Sequence, residues 1–450
     1  MEELYTHINS DLFRKVLYRK YVCSDCTLMI VYNLNNHVSA ILDDLSAALF
    51  EALAVGSREN VYNLITANDL TYEDISSFIE DLVEAGILHS EAASAKVSGQ
   101  EFHGEENISE FENFYRKIYE NGYLFSVHID VTNQCNLRCI HCYHPFDEYT
   151  FSNNLTLGEI KRIVDEAFSL GVFRVTISGG EPFLRDDIYD ILEYISGKRM
   201  IIDLFTNASL INDDVVKRLE LYNIKEVGIS LYSTRPDVHE AITSSQSYSN
   251  THYAIKMLRE HNFEVKLKCI LMKRNIEHYR ELIDFSREMG CSLVLDFDIT
   301  PKLNGDSSPT ELALGFGDIM NLSLNASTKF YASAPEVLSP NDSPCNAGKY
   351  SLYISSTGNI YPCVSLQVNL GNIRHTSLMD VWENNEELHM WQKMRNRDFA
   401  GFGENTYCQY CMGICAGLAH LENGKYNQCP KSSCYKAKAR EKAHKKIIGE

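Results

Sequence analysis

From residue 124 to residue 299 the chain repeats a strand and then a helix, and nothing else in the sequence restricts its fold so tightly. β-rich runs fall at 124–130, 172–178, 200–205, 226–231, 265–271 and 293–299. Helical stretches fill 156–170, 186–196, 210–221, 248–261 and 275–289. Such alternation predicts an α/β fold, a parallel sheet with helices outside, curled into a partial (β/α)6 barrel. Phe125, Val127 and Ile129 alternate with Ser126, His128 and Asp130, and Phe173, Val175 and Ile177 with Arg174, Thr176 and Ser178. Val227, Ile229 and Leu231 alternate with Gly228 and Ser230; Leu267, Cys269 and Leu271 with Lys266 and Lys268; Leu293, Leu295 and Phe297 with Asp296 and Asp298. Successive strand side chains face opposite ways, so the apolar set meets the helices and the polar set lines the lumen. A lumen this polar is a poor core and a good cavity, with ligands at the carboxyl ends of its strands. Two readings of its charges stand. Lys266 and Lys268 serve an anionic ligand group while Asp296 or Asp298 handles protons, or the charges pair with one another.

The first strand runs into the segment QCNLRCIHCY, where Cys135, Cys139 and Cys142 are spaced C-x3-C-x2-C. Three thiolates on one loop can hold three corners of a four-iron, four-sulfur cube, which leaves the fourth iron open. A zinc knuckle is the other reading, although zinc sites favour paired cysteines with a second pair elsewhere. The second strand ends in Gly179-Gly180-Glu181-Pro182, 37 residues after Cys142. Glycines there let backbone approach a ligand, and the carboxylate can hold an ammonium.

Together these features resemble the radical S-adenosylmethionine (SAM) enzymes. The resemblance implies that Cys135, Cys139 and Cys142 carry a [4Fe-4S] cluster whose open iron is chelated by SAM. It also implies that the stretch Gly179, Gly180, Glu181 and Pro182 receives the methionyl amine. His141 stands where the family usually has an aromatic residue. Thr206, Asn207 and Ser230 occupy places that often touch the SAM ribose, and Lys266 is placed to neutralise its carboxylate. The usual TNG is Thr206-Asn207-Ala208 here, which removes a glycine from that turn. Lys268 and Asp298 join the three cysteines as catalytic candidates.

Residues 345–434 hold seven more cysteines. Cys345, Gly358 and Cys363 read C-x12-G-x4-C around a hairpin, followed by Cys408, Cys411, Cys415, Cys429 and Cys434. This resembles the SPASM extension of peptide-modifying radical SAM enzymes, which implies two auxiliary [4Fe-4S] clusters. The family usually shows C-x2-C-x5-C-x3-C, whereas this chain has C-x2-C-x3-C, so the assignment of thiols to clusters stays open. Zinc at Cys408, Cys411, Cys415 and Cys434 remains a second reading.

Residues 1–95 form a separate unit, with strands at 28–32 and 37–42 and helices at 45–55 and 72–85. Ile75, Phe78, Ile79, Leu82 and Val83 make an apolar stripe on the last helix. The pattern suggests a winged helix and resembles the PqqD-like recognition element of peptide maturases, which implies a leader peptide bound by strand addition. Residues 96–122 read as a linker with one bridging helix, 123–325 as the radical SAM core, and 326–450 as a bridging segment and the SPASM domain. Cys23 and Cys26, half a metal site at most, read as packed, reduced thiols.

A net charge of −19 argues against nucleic acid as partner, since phosphate contacts need a basic surface. The start is polar and no run is long enough to span a membrane. With 14 cysteines and no export signal, a cytoplasmic iron–sulfur enzyme is expected. What the resemblance implies is a sactisynthase- or ranthipeptide-type maturase, fed by an electron donor such as flavodoxin or ferredoxin. It would form thioethers between Cys and another residue of a leader-bearing precursor peptide. Carbon–carbon crosslinking and epimerisation are the alternative reactions. A non-catalytic iron–sulfur or zinc protein is the alternative class.

Overall fold

The structure, a computed structural model, describes residue 13 and residues 15–88, 105–145, 153–335 and 337–449. Its amino-terminal unit is an antiparallel sheet of β1 (Val16–Val22), β2 (Thr27–Asn33) and β3 (Ser39–Asp43), in that order. Helices Asp44–Ala54, Arg58–Ala67 and Tyr72–Glu84 follow. The last is set by a capping box of Thr71 and Asp74, and Gly86 at φ 74° follows its end. β1 escaped the sequence reading because Arg19 and Lys20 interrupt its apolar pattern. Arg19 lays its guanidinium over the Phe168 ring, 4.0 Å from the centroid, and donates to the Val172 carbonyl at 2.9 Å.

The barrel strands are β4 (Ser126–Thr132), β5 (Arg174–Gly179), β6 (Ile201–Thr206), β7 (Ile224–Ser230), β8 (Val265–Ile270) and β9 (Ser292–Asp296). They pair in parallel and in chain order. Val127, Ile129, Val175, Ile177, Val227, Ile229 and Leu267 are fully buried against the outer helices, as their parity requires. The last ladder stops at Asp296, so Phe297 and Asp298 lie beyond the strand expected over 293–299. Helices Arg58–Ala67 and Pro236–Thr243 fall where the sequence suggested none.

The carboxyl-terminal segment joins this sheet. β10 (Ser351–Ile354) pairs in parallel with β4, Ser351 opposite Ser126, and β11 (Asn359–Tyr361) and β12 (Gly371–Asn372) extend it to nine strands. The final helix, Lys431–Ile448, packs on Phe316–Ser323. Its basic stretch carries Arg440, 4% exposed and donating to the Tyr410 and Phe330 carbonyls. The bridging helix of the linker is Glu105–Glu120; residues 89–104 lie outside the described ones. Leu17, Tyr21, Ile30 and Tyr32 of the small sheet share one apolar cluster with Phe114 and Ile118 of that helix and with Phe125, Phe173 and Ile201 of the barrel.

Candidate functional site

The loop carrying Cys135, Cys139 and Cys142 leaves the carboxyl end of β4. Arg138 and Ile140 donate their amides to the Thr243 and Ile242 carbonyls, each at 3.0 Å, so the unforeseen helix Pro236–Thr243 pins the loop. Gly179 and Gly180 press on it from the other side. A Cβ on Gly179 would stand 2.3 Å from the Thr132 carbonyl oxygen, and one on Gly180 2.2 Å from that of Gln134. The glycines therefore act first by admitting the cysteine loop.

Glu181 is fully buried and accepts from the Thr206 hydroxyl and the Asn207 amide, both at 2.8 Å, and from the Phe183 amide at 3.2 Å. Burial pushes its carboxyl up to about 7, against the pull of those hydrogen bonds. Pro182, also buried, opens the short turn after it. Thr206 and Asn207 are thus tied to the glycine stretch through one carboxylate. Ala208 holds φ 59°, so the left-handed turn survives the loss of glycine.

The three thiols carry the marks of a metal-ligating loop. Leu137 N–H lies 3.4 Å from the Cys135 sulfur and the Asn207 amide nitrogen 3.9 Å from it. The Tyr232 side chain, hydrogen-bonded to Ser230, reaches Cys139. Burial pushes the Cys139 thiol up to about 12 and that of Cys142 up to about 11, and each rises further from neighbouring thiol charge. A cationic centre would reverse that cost, since ligation takes thiolates. Hydrogen bonds to the sulfurs suit an iron–sulfur cube, so the residues fit the group. Among the described residues no three His, Cys, Asp or Glu side chains converge as ligands of a single metal ion; in a cube each thiolate takes its own iron. His141 packs edge-on to Tyr232 at 4.7 Å, and burial pushes its imidazole down to about 4.

The lumen charges are placed unevenly. Lys266 is ion-paired with Glu226 near the amino ends of their strands. It therefore does not stand at the cofactor end, and pairing is the reading that holds for it. Arg174 pairs likewise with Asp203. Lys268 lies one step nearer the mouth, its ammonium 3.4 Å from the Phe205 ring centroid and lowered to about 8 by burial. Asp298 is paired with Lys436 of the final helix, with its carboxyl raised by burial. At the mouth, Leu303 N–H donates to the Tyr143 carbonyl at 2.9 Å, so the turn at 300–309 rests on the cysteine loop.

The seven carboxyl-terminal thiols divide into two sets. Cys408, Cys411, Cys429 and Cys434 line one cavity and interact electrostatically. Cys345, Cys363 and Cys415 form the other set, each within the field of another. Gly417 makes this possible, since a Cβ there would stand 2.5 Å from the Ser365 carbonyl oxygen beside Cys363. Cys345 and Cys415 open onto a cavity of about 370 Å³ shared with Asp296, Asp298, Lys436 and Arg440. Sequence reasoning missed Tyr232, which reaches Cys139, and Tyr353, which reaches Asp130, because their approach depends on crossovers that spacing does not reveal.

Residues 129–286 match the model of the Radical SAM superfamily, and residues 345–412 match SPASM, an iron–sulfur cluster-binding domain. The chain is 27% identical over 324 residues to the antilisterial bacteriocin subtilosin biosynthesis protein AlbA of Bacillus subtilis, covering 69% of this chain and 70% of AlbA. It is 24% identical over 327 residues to an AdoMet-dependent heme synthase of Methanosarcina barkeri, covering 66% and 92%. Among solved structures it resembles Streptococcus suis SuiB bound to precursor peptide SuiA, with TM-score 0.59, 18% identity, and 95% and 99% of the two chains covered. At that identity the likeness is one of fold. The cysteine loop, the glycine-led carboxylate and the two matched domains agree, and the chain belongs to the radical SAM superfamily as an enzyme with a SPASM domain.

Proposed function

We propose that this enzyme modifies a ribosomally made precursor peptide, joining a peptide Cys sulfur to a carbon of another residue. The reading is carried by the three-thiol set Cys345, Cys363 and Cys415, which opens on the cavity beside the barrel mouth. These residues would hold an auxiliary cube by three corners, as Cys408, Cys411, Cys429 and Cys434 would hold a second by four. Bound there, the core cube and SAM supply a 5′-deoxyadenosyl radical, and the three-thiol cube supplies a site for a thiolate and an electron acceptor. Asp298 and Lys436 flank that cavity and, paired with each other, can orient an entering thiol. Lys268 supplies positive charge to the lumen, and Ser230, Thr206 and Asn207 are placed to orient SAM. A flavodoxin or ferredoxin serves as electron donor.

Two comparisons support a peptide over a small molecule. AlbA is named for bacteriocin biosynthesis, and SuiB, which holds its precursor peptide, resembles 95% of this chain, amino-terminal unit included. The heme synthase match covers 66%. In the small sheet β3 is an edge strand, and the leader adds to it.

The test is anaerobic co-expression with candidate Cys-containing precursors, followed by mass spectrometry with alkylation. A thioether product is two hydrogens lighter and has lost an alkylatable thiol. A lighter product that still alkylates at every Cys would move the reaction to carbon–carbon crosslinking. An unchanged mass with an inverted residue would make it epimerisation.

A further inference from the structure

Inside the barrel four polar side chains from three segments meet, three of them with their hydrogen bonding incomplete. Asp130, 1% exposed on β4, accepts from the Tyr353 hydroxyl of β10 at 2.6 Å. Its Oδ1 lies 3.4 Å from Nε2 of His128, and its Oδ2 lies 3.8 Å from Nε2 of His144. Both distances exceed a normal N–H···O bond. Asp130 Oδ1 and both Nε2 atoms are buried without a hydrogen-bond partner. Unsatisfied buried groups are costly, and several facing one another call for a function.

The geometry points to His128, held by Asp130, as the acceptor of the proton that the peptide releases during crosslinking. This rests on the crosslinking reading. As the carbon–sulfur bond forms, the peptide loses a C–H and an S–H. One hydrogen leaves as an atom to the deoxyadenosyl group, the other as a proton, and one electron passes to an auxiliary cluster. The proton needs an acceptor where water is excluded. Among the described residues, Lys266 is paired with Glu226, Arg174 with Asp203 and Asp298 with Lys436, and Lys268 lies over Phe205. The His128 side chain is 25% exposed, with its ring edge-on to Phe205 and Tyr353. Its Nε2 faces the carboxylate, which leaves Nδ1 to take the proton. A carboxylate behind an imidazole fixes its orientation and stabilises the imidazolium that forms. The Tyr353 hydroxyl holds that carboxylate from the other oxygen, so the SPASM hairpin completes the dyad.

The experiment compares wild type, H128Q, H128G and Y353F as reconstituted holoenzymes, with the precursor that is crosslinked on co-expression. Crosslinked peptide formed per 5′-deoxyadenosine should fall about 100-fold in H128Q, the scale of a lost general base, and less in Y353F. Added imidazole should restore crosslinking to H128G and leave wild type unaffected, a rescue that decides the matter even if H128Q binds iron poorly. In wild type, diethyl pyrocarbonate should label His128, and bound precursor should slow that labelling. A wild-type ratio in H128Q, no imidazole rescue, or labelling indifferent to the precursor would overturn the assignment. A wild-type enzyme that cleaves SAM yet alters no peptide would instead remove the crosslinking reading, and the dyad's role with it.

Discussion

Gly180 and Ala208 sit at opposite edges of the cysteine loop and respond in opposite ways to a methyl group. At Gly180 a Cβ would meet the Gln134 carbonyl oxygen at 2.2 Å, a backbone atom that can move only by displacing Cys135. The substitution G180A is expected to remove the core cluster, lowering iron from about 12 atoms per chain toward about 8, measured after reconstitution. Ala208 already holds φ 59° with its methyl fully buried. A non-glycine residue in that region costs about 1–2 kcal/mol, while glycine returns part of the gain as chain entropy. A208G should therefore change the urea-unfolding free energy by less than about 1 kcal/mol. A208V, branched at Cβ, should lose about 2 kcal/mol or more by the same measurement. The cysteine spacing and GGEP were legible one residue at a time because they are local. Tyr353 was not, since its contact with Asp130 spans 223 positions.

Helix Leu157–Ser169 shows how an element is fastened twice. Thr156 and Glu159 form its capping box, and Arg374 donates to Glu159 at 2.6 Å from the segment after β12. That hydrogen bond holds the Glu159 carboxyl down at about 2, against some burial that works to raise it. A depressed folded value adds stability above the ordinary carboxylate value of about 4.3, and that stability is lost as pH falls toward 2. The pair is partly exposed and so partly screened by solvent, and its worth is about 1 kcal/mol. Urea unfolding at pH 7 should show E159Q less stable than wild type by about that amount, with the gap closing as pH falls below about 4. Helix Tyr72–Glu84 was legible because its apolar stripe is a local signal. Helix Pro236–Thr243 was not, because eight residues are too short a run to show a helical period.

At the scale of the whole molecule, the amino-terminal unit lies against the barrel floor and is not a free appendage. Phe125, Phe173 and Ile201, each at most 5% exposed, share a cluster with the small sheet and with Phe114 and Ile118. Removing residues 1–95 would expose that surface, so the truncated chain is expected to melt lower or aggregate, as calorimetry or light scattering would show. Leader binding is better tested in the intact chain. Strand addition should slow hydrogen exchange of the Ser39–Asp43 amides, and unchanged exchange would leave that unit a packing role. If each thiol set holds its own cube, C408S and C345S should each lower iron by about four atoms, read by iron analysis. A loss of zinc instead would return the carboxyl-terminal cysteines to a structural metal.

What the sequence determined by itself is periodic or contiguous: six strands of fixed parity, the polar lumen, the cysteine triplet and the glycine-led carboxylate. Backbone geometry over a few residues imposes each of these, so no tertiary contact is needed to read them. Only the tertiary structure decided which distant residues meet. It set the SPASM hairpin beside β4, divided seven thiols into three and four, paired Lys266 with Glu226, and faced His128 with Asp130. Parity assigns a face but not a neighbour, since depth along the barrel and the crossing of remote segments follow from packing the whole chain at once.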